Sequence, residues 1–130
     1  MTPKLNVLIV DSSELVRTSI KELLHENKNH VNMGAVRTED EALNMLSLIK
    51  IDAVILDVHL PVRMGLSLLR KIKTMYPSTK IIVFSNYGKP MYKNYCYKLG
   101  ADFFIEKATE FPMLNKTVSL IANYRTCYAA

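Results

Sequence analysis

The chain is short of cysteine, has no long apolar run and, across its middle third, has no acid; each shortage removes a class of function. Only Cys96 and Cys127 are present, at no metal-ligand spacing, so neither zinc nor a disulfide framework is expected, and Cys96 reads as a helix core residue. No apolar stretch approaches the ~18 residues of a membrane span. The start, Met1 to Asn6, leads into an apolar run too short for a signal-peptide h-region, with no small-residue cleavage site after it. A cytoplasmic protein with no membrane partner is expected. Linkers, low-complexity tracts and boundary-marking charge runs are absent as well. Residues 1–130 therefore read as one domain, with a core from about residue 5 to 124, no output domain, and length enough for one sizeable core.

The missing acid leaves residues 58–101 one-signed. Arg63, Arg70, Lys71, Lys73, Lys80, Lys89, Lys93 and Lys98 face no Asp or Glu there, whereas residues 1–57 hold six basic and nine acidic side chains. Such a segment suits an acidic protein surface or a nucleic acid, and solvated lysines on helix faces are the simpler reading. No RNA-binding signature, zinc finger or separate helix-turn-helix accompanies it, so nucleic acid is not expected as a partner.

What is present is a rhythm of short apolar runs, each closed by a polar residue. Asp11 ends Val7–Val10, Asp57 ends Ala53–Leu56, Ser85 ends Ile81–Phe84, and Lys107 follows Phe103–Glu106. Runs this short, separated by helix-like segments, predict buried parallel strands. A further strand over 31–36 is interrupted by Asn32 and Gly34.

Between the strands the period changes to that of helices. The first helix has Leu15, Val16, Ile20, Leu23 and Leu24 on its inner face. Thr38-Glu39-Asp40-Glu41 is a capping-box pattern opening a helix with Ala42, Leu43, Leu46 and Ile49 inward. Pro61 and Gly65 precede a third helix with Leu68, Leu69 and Ile72 inward. Pro90 starts a fourth, with Tyr92, Tyr95, Cys96 and Leu99 on one side and Gly100 at its end. Thr109 caps the last, with Pro112 in its first turn and Phe111, Leu114, Val118 and Ile121 inward.

Five strand–helix units of this kind predict an α/β, flavodoxin-like (βα)5 fold, a doubly wound parallel sheet of order 2-1-3-4-5. Its switch point lies between strands one and three, and ligands gather at the carboxyl ends there. Those two strands carry Asp11 and Asp57. Val58-His59-Leu60-Pro61 separate Asp57 from the next helix, so capping explains it poorly. A lone buried carboxylate costs several kcal/mol, and Lys107 on the same rim is a suitable partner. Asp11 fits either a capping role or, opposite Asp57, a magnesium ligand. Two carboxylates brought together need a cation between them.

Val-Asp at 10–11, Leu-Asp-Val-His-Leu-Pro from 56, Gly65, Phe-Ser at 84–85 and Gly-Ala-Asp-Phe-Phe-Ile-Glu-Lys from 100 resemble the receiver domain of two-component response regulators, in its single-domain, chemotaxis-regulator-like form. The resemblance implies a signalling phospho-acceptor, not an enzyme with a substrate of its own. Asp57 would take a phosphoryl group from a histidine kinase or phosphotransfer protein. Asp11, Asp57 and the main-chain carbonyl of His59 would hold Mg²⁺. Ser85 and Lys107 would bind phosphoryl oxygens, and Phe104 falls at the aromatic switch position. A face made by helix four, strand five and the last helix would dock a downstream protein; the oligomeric state is left open.

Three departures from the family pattern stand out. Ser12 occupies the position of the second acid after strand one, typically the direct metal ligand, so metal binding is expected to be weak or absent there, with Glu14 close enough in sequence to substitute. Ala108 follows the lysine in place of the common proline. Asn86 replaces a small residue, and with His59 and Tyr87 forms a bulky rim. The competing reading is a degenerate receiver that binds a partner without phosphorylation. A flavin or nucleotide enzyme needs a glycine-rich phosphate loop after strand one, which Asp11-Ser12-Ser13-Glu14 is not. An aspartate-based phosphatase needs a second Asp where His59 stands.

Overall fold

Each apolar run forms a strand. In a computed structural model of the chain, residues 4–27, 30–58, 62–86 and 89–128 are described, with side chains at 4–26, 30–58, 65–86 and 89–124. His59, Pro61, Tyr87 and the Cys127 side chain lie outside the described residues. The strands are β1 (Leu5–Val10), β2 (Val31–Val36), β3 (Ala53–Leu56), β4 (Lys80–Ser85) and β5 (Phe103–Glu106). They lie parallel in the order β2-β1-β3-β4-β5, as the sequence predicts. Asn32 and Gly34 do not break β2; it pairs with β1 along its length, from Leu5 opposite Val31 to Val10 opposite Val36.

Side-chain alternation divides the core into two layers. Leu8, Val10, Val54, Leu56, Ile81, Val83 and Phe104 face one side, against α2 (Glu39–Leu48), α3 (Val62–Met75) and α4 (Pro90–Leu99). Leu5, Val7, Ile9, Ala53, Ile55, Ile82, Phe84 and Ile105 face the other, against α1 (Glu14–Leu24) and α6 (Met113–Tyr128). Each fully buried Leu or Ile contributes about 1.5–3 kcal/mol, so the two layers are the main force holding the strand ends in register. No helix among the described residues is long and apolar enough to cross a membrane.

Local chemistry sets the helix ends. Thr38 Oγ1 accepts the Glu41 N–H at 3.2 Å, which caps α2 at the expected residue, and donates to Glu41 Oε1 at 3.1 Å. Pro90 opens α4, and Gly100 ends it at φ 119°, where a Cβ would also run into the Lys73 side chain.

The last helix differs from expectation. Thr109 does not cap it. Residues Lys107–Glu110 close into a separate single turn, α5, because the Glu110 carboxylate reaches back to the Glu106 N–H at 3.0 Å while Thr109 Oγ1 donates to Glu106 Oε2 at 2.9 Å. Pro112, with no N–H to continue the ladder, falls between α5 and α6.

Three apolar residues expected inward point out. Leu15 is 77% exposed, because Val16, Ile20 and Leu24 set the inner line of α1 and Leu15 lies well off it. Ile49 is the extended C-cap residue of α2, beyond its helical stripe. Tyr95 is exposed beside the fully buried Cys96.

Candidate functional site

The carboxyl ends of β1, β3 and β5 meet on one rim. Asp11 continues the sheet beyond β1, its N–H donating to Val36 O, and Asp57 does the same beyond β3, donating to Val10 O. Both carboxylates are buried, and Lys107 at the first position of α5 brings its Nζ to 2.8 Å from Asp11 Oδ2 and 2.9 Å from Asp57 Oδ2. One ammonium thus bridges two acids from strands that sequence alone places 46 residues apart.

The Lys107 side chain is only 15% exposed. Burial pulls its pKa down, but the hydrogen bonds it donates to Asp11 and Asp57 and their charges outweigh burial, and the net shift is upward. The lysine is therefore held as a fixed cation. Its Nζ also stands over the Phe84 ring, 5.6 Å from the centroid, and Phe84 packs on Phe111 at 5.8 Å with the rings tilted by 48°.

The Asp11 carboxylate divides its two oxygens between a local turn and the lysine. Its Oδ1 accepts the Ser13 N–H at 2.9 Å, a local turn, while Oδ2 faces Lys107. Helix capping itself falls to Ser13, whose Oγ accepts the Val16 N–H at 3.3 Å. Arg17 Nη1 donates to the Asp11 carbonyl at 2.6 Å and anchors the loop from one turn into α1. Ser12 is exposed between these anchors, and Glu14 is exposed in the first turn.

Ser85 is fully buried at the end of β4, opposite Glu106 in register and so beside Lys107 on the same rim. Phe104, one layer below, is buried with Tyr92 edge-on at 6.3 Å and Lys93 Nζ 5.5 Å over its ring. Asn86 is exposed at the rim, and the other rim residues of the expectation, His59 and Tyr87, lie outside the described residues. Arg17, Phe84 and Phe111 were not legible as site residues. Arg17 reads as an ordinary helix charge, and the phenylalanines read as core.

The oxygen-only donor set suits a hard cation such as Mg²⁺, which needs one or two carboxylates and takes its other ligands from water and phosphate. Among the described residues no group of three or more His, Cys, Asp or Glu converges. The residues present fit a metal with few protein ligands, and Lys107 holds one oxygen of each acid. At the opposite end of the sheet the acids are structural. Asp52 Oδ2 accepts the Asn6 N–H at 2.8 Å, and Asp102 Oδ2 accepts the Ile81 N–H and the Lys73 ammonium, each at 2.8 Å.

The sequence profile of the response regulator receiver domain matches residues 7–119. The protein-glutamate methylesterase/protein-glutamine glutaminase of Clostridium acetobutylicum is 33% identical over 129 residues, covering 97% of this chain and 37% of that protein. The chain thus spans little more than a third of that relative. A response regulator from Thermotoga maritima superposes with a TM-score of 0.82 at 30% identity, over 92% of this chain and 98% of that one. The receiver domain of the Francisella response regulator 1452 shares the fold, with a TM-score of 0.83 at 23% identity over 95% of this chain and 98% of that one.

Proposed function

The chain belongs to the response regulator receiver domain family, and on that premise we propose that it is a phosphorylation-dependent switch with Asp57 as its phospho-acceptor. The bridging of Asp11 and Asp57 by Lys107 carries this reading, because it puts a nucleophilic carboxylate, a second acid and a fixed cation within one contact shell.

An Asp57 oxygen attacks the phosphorus of a phosphohistidine in a histidine kinase or phosphotransfer protein. The P–N bond breaks, the O–P bond forms, and the imidazole leaves with a proton. For this Lys107 releases Asp57 Oδ2 and pairs with a phosphoryl oxygen, so the charge that moves onto that oxygen meets a cation already in place. Ser85, buried on the same rim, donates its hydroxyl to another. Asp11, Asp57 and the His59 carbonyl would hold Mg²⁺, which when bound neutralises charge on the transferring group. Leu15, exposed four residues after Asp11, offers the phosphodonor an apolar contact.

The output is a protein contact on α4, β5 and α6. Met91, Tyr95 and Tyr97 are exposed along α4, among basic Lys93 and Lys98, which favours an acidic partner surface. Ser12 favours a second reading, a receiver that binds its partner without being phosphorylated.

Incubation with Mg²⁺ and acetyl phosphate, followed by intact-mass spectrometry, separates the two. The switch requires one added phosphoryl group on the native chain and none on Asp57→Ala. An unmodified native chain leaves the phosphorylation-independent reading.

A further inference from the structure

We propose that Phe84 is a positioning residue for Lys107, holding the ammonium at the height where it can pass from Asp57 to an arriving phosphoryl group. The inference rests on the phospho-acceptor reading and extends it to a core residue of β4.

Lys107 has a long, flexible stem and opens a helix of a single turn. Ala108 follows it, so the next residue adds no ring to restrict the chain. What restricts it is aromatic. The Phe84 ring lies under Nζ at 5.6 Å, and Phe111, the residue that ends the same turn, packs on Phe84 at 5.8 Å. Both ends of α5 are thereby fastened to one side chain that is itself only 1% exposed. The Glu106–Glu110 and Thr109–Glu106 hydrogen bonds close the turn between them.

The face of a phenylalanine attracts a cation without fixing its direction. A hydrogen-bond acceptor in the same place would compete with the carboxylates for N–H groups. The ring leaves the ammonium protons for Asp11 and for Asp57 or, once Asp57 is released, the incoming phosphoryl oxygen. A leucine of similar volume would fill the core equally well and offer no such attraction.

The test separates position from reaction. In ¹H–¹³C spectra, the Lys107 ε-methylene signal, assigned by its loss in Lys107→Arg, is expected to be shifted upfield by the Phe84 ring and to return to the ordinary lysine region in Phe84→Leu. A trifluorinated phenylalanine at position 84 preserves the ring volume and weakens its negative face. It is expected to slow Asp57 phosphorylation by acetyl phosphate about 3- to 10-fold, the range a partly desolvated cation–π contact sets. Phe84→Leu is expected to slow it at least as much. An unshifted ε-methylene in the native protein, a shift that survives Phe84→Leu, or an unchanged rate with the fluorinated ring overturns the proposal. If the native chain is not phosphorylated, the phospho-acceptor reading fails and the spectra alone decide the positioning of Lys107.

Discussion

Lys107 and Asp57 touch at 2.9 Å although 50 residues separate them, and the same ammonium reaches Asp11 at 2.8 Å. Lys107→Met would remove the ammonium that contacts both carboxylates and leave two buried acids without that bridge. Stability should fall by about 2 kcal/mol, since the stranded charges keep their desolvation cost. Mg²⁺ should recover much of this, because its competitor is gone. Thermal melts with and without Mg²⁺ check both parts; equal Mg²⁺ responses of native and variant chains would sink the idea that lysine and metal compete.

Ser12 is exposed beside the pair, so a larger side chain fits without disturbing the core. Ser12→Asp should raise Mg²⁺ affinity by at least about tenfold, the effect of adding one carboxylate to a site that has two. Without metal the same variant should lose stability, because a third negative charge joins the cluster. Calorimetric titration measures the first effect and urea denaturation the second. An unchanged affinity would mean that position 12 does not reach the metal.

The rim was legible because each strand is an apolar run closed by a polar residue, and parallel topology brings such endings together. Asp11, Asp57, Ser85 and Lys107 all follow from that pattern. The contacts that position them were not legible. Phe84 looks like any strand phenylalanine until β4 and β5 pair and Lys107 swings over its ring. Thr109 looks like a cap, and only the reach of Glu110 back to Glu106 shows that an earlier turn forms instead. Leu15 and Val16 both fit a helical stripe as neighbours, yet one helix face cannot bury both, and packing against Ile20 and Leu24 selects Val16.

Gly65 meets the backbone of Val58, the residue after Asp57; a Cβ there would overlap the Val58 Cα, carbonyl carbon and oxygen. Backbone atoms cannot swing aside as a side chain does. Gly65→Ala should therefore displace the loop that follows Asp57 and cost about 2–4 kcal/mol, above an ordinary overpacking penalty. Urea denaturation checks the stability. Slower phosphorylation by acetyl phosphate, in conditions where the variant is folded, checks the loop. A variant as stable as the native chain would show that α3 yields instead.

Cys96 is fully buried in α4, and burial pushes its thiol up to about 11 from 9.0. In the unfolded chain it ionises near the ordinary value, so between about pH 9 and 11 the unfolded state binds fewer protons than the folded one. Stability contributed by the neutral buried thiol is complete below that window and declines as pH rises through it. Urea midpoints of the native chain should fall more steeply across the window than those of Cys96→Ala, whose own loss from the cavity is independent of pH. The same burial predicts that iodoacetamide at about pH 8 leaves Cys96 unmodified in the folded protein and alkylates it in urea. Parallel pH slopes for the two chains, or rapid alkylation of the folded one, would mean that α4 opens more readily than its packing against β4 and β5 implies.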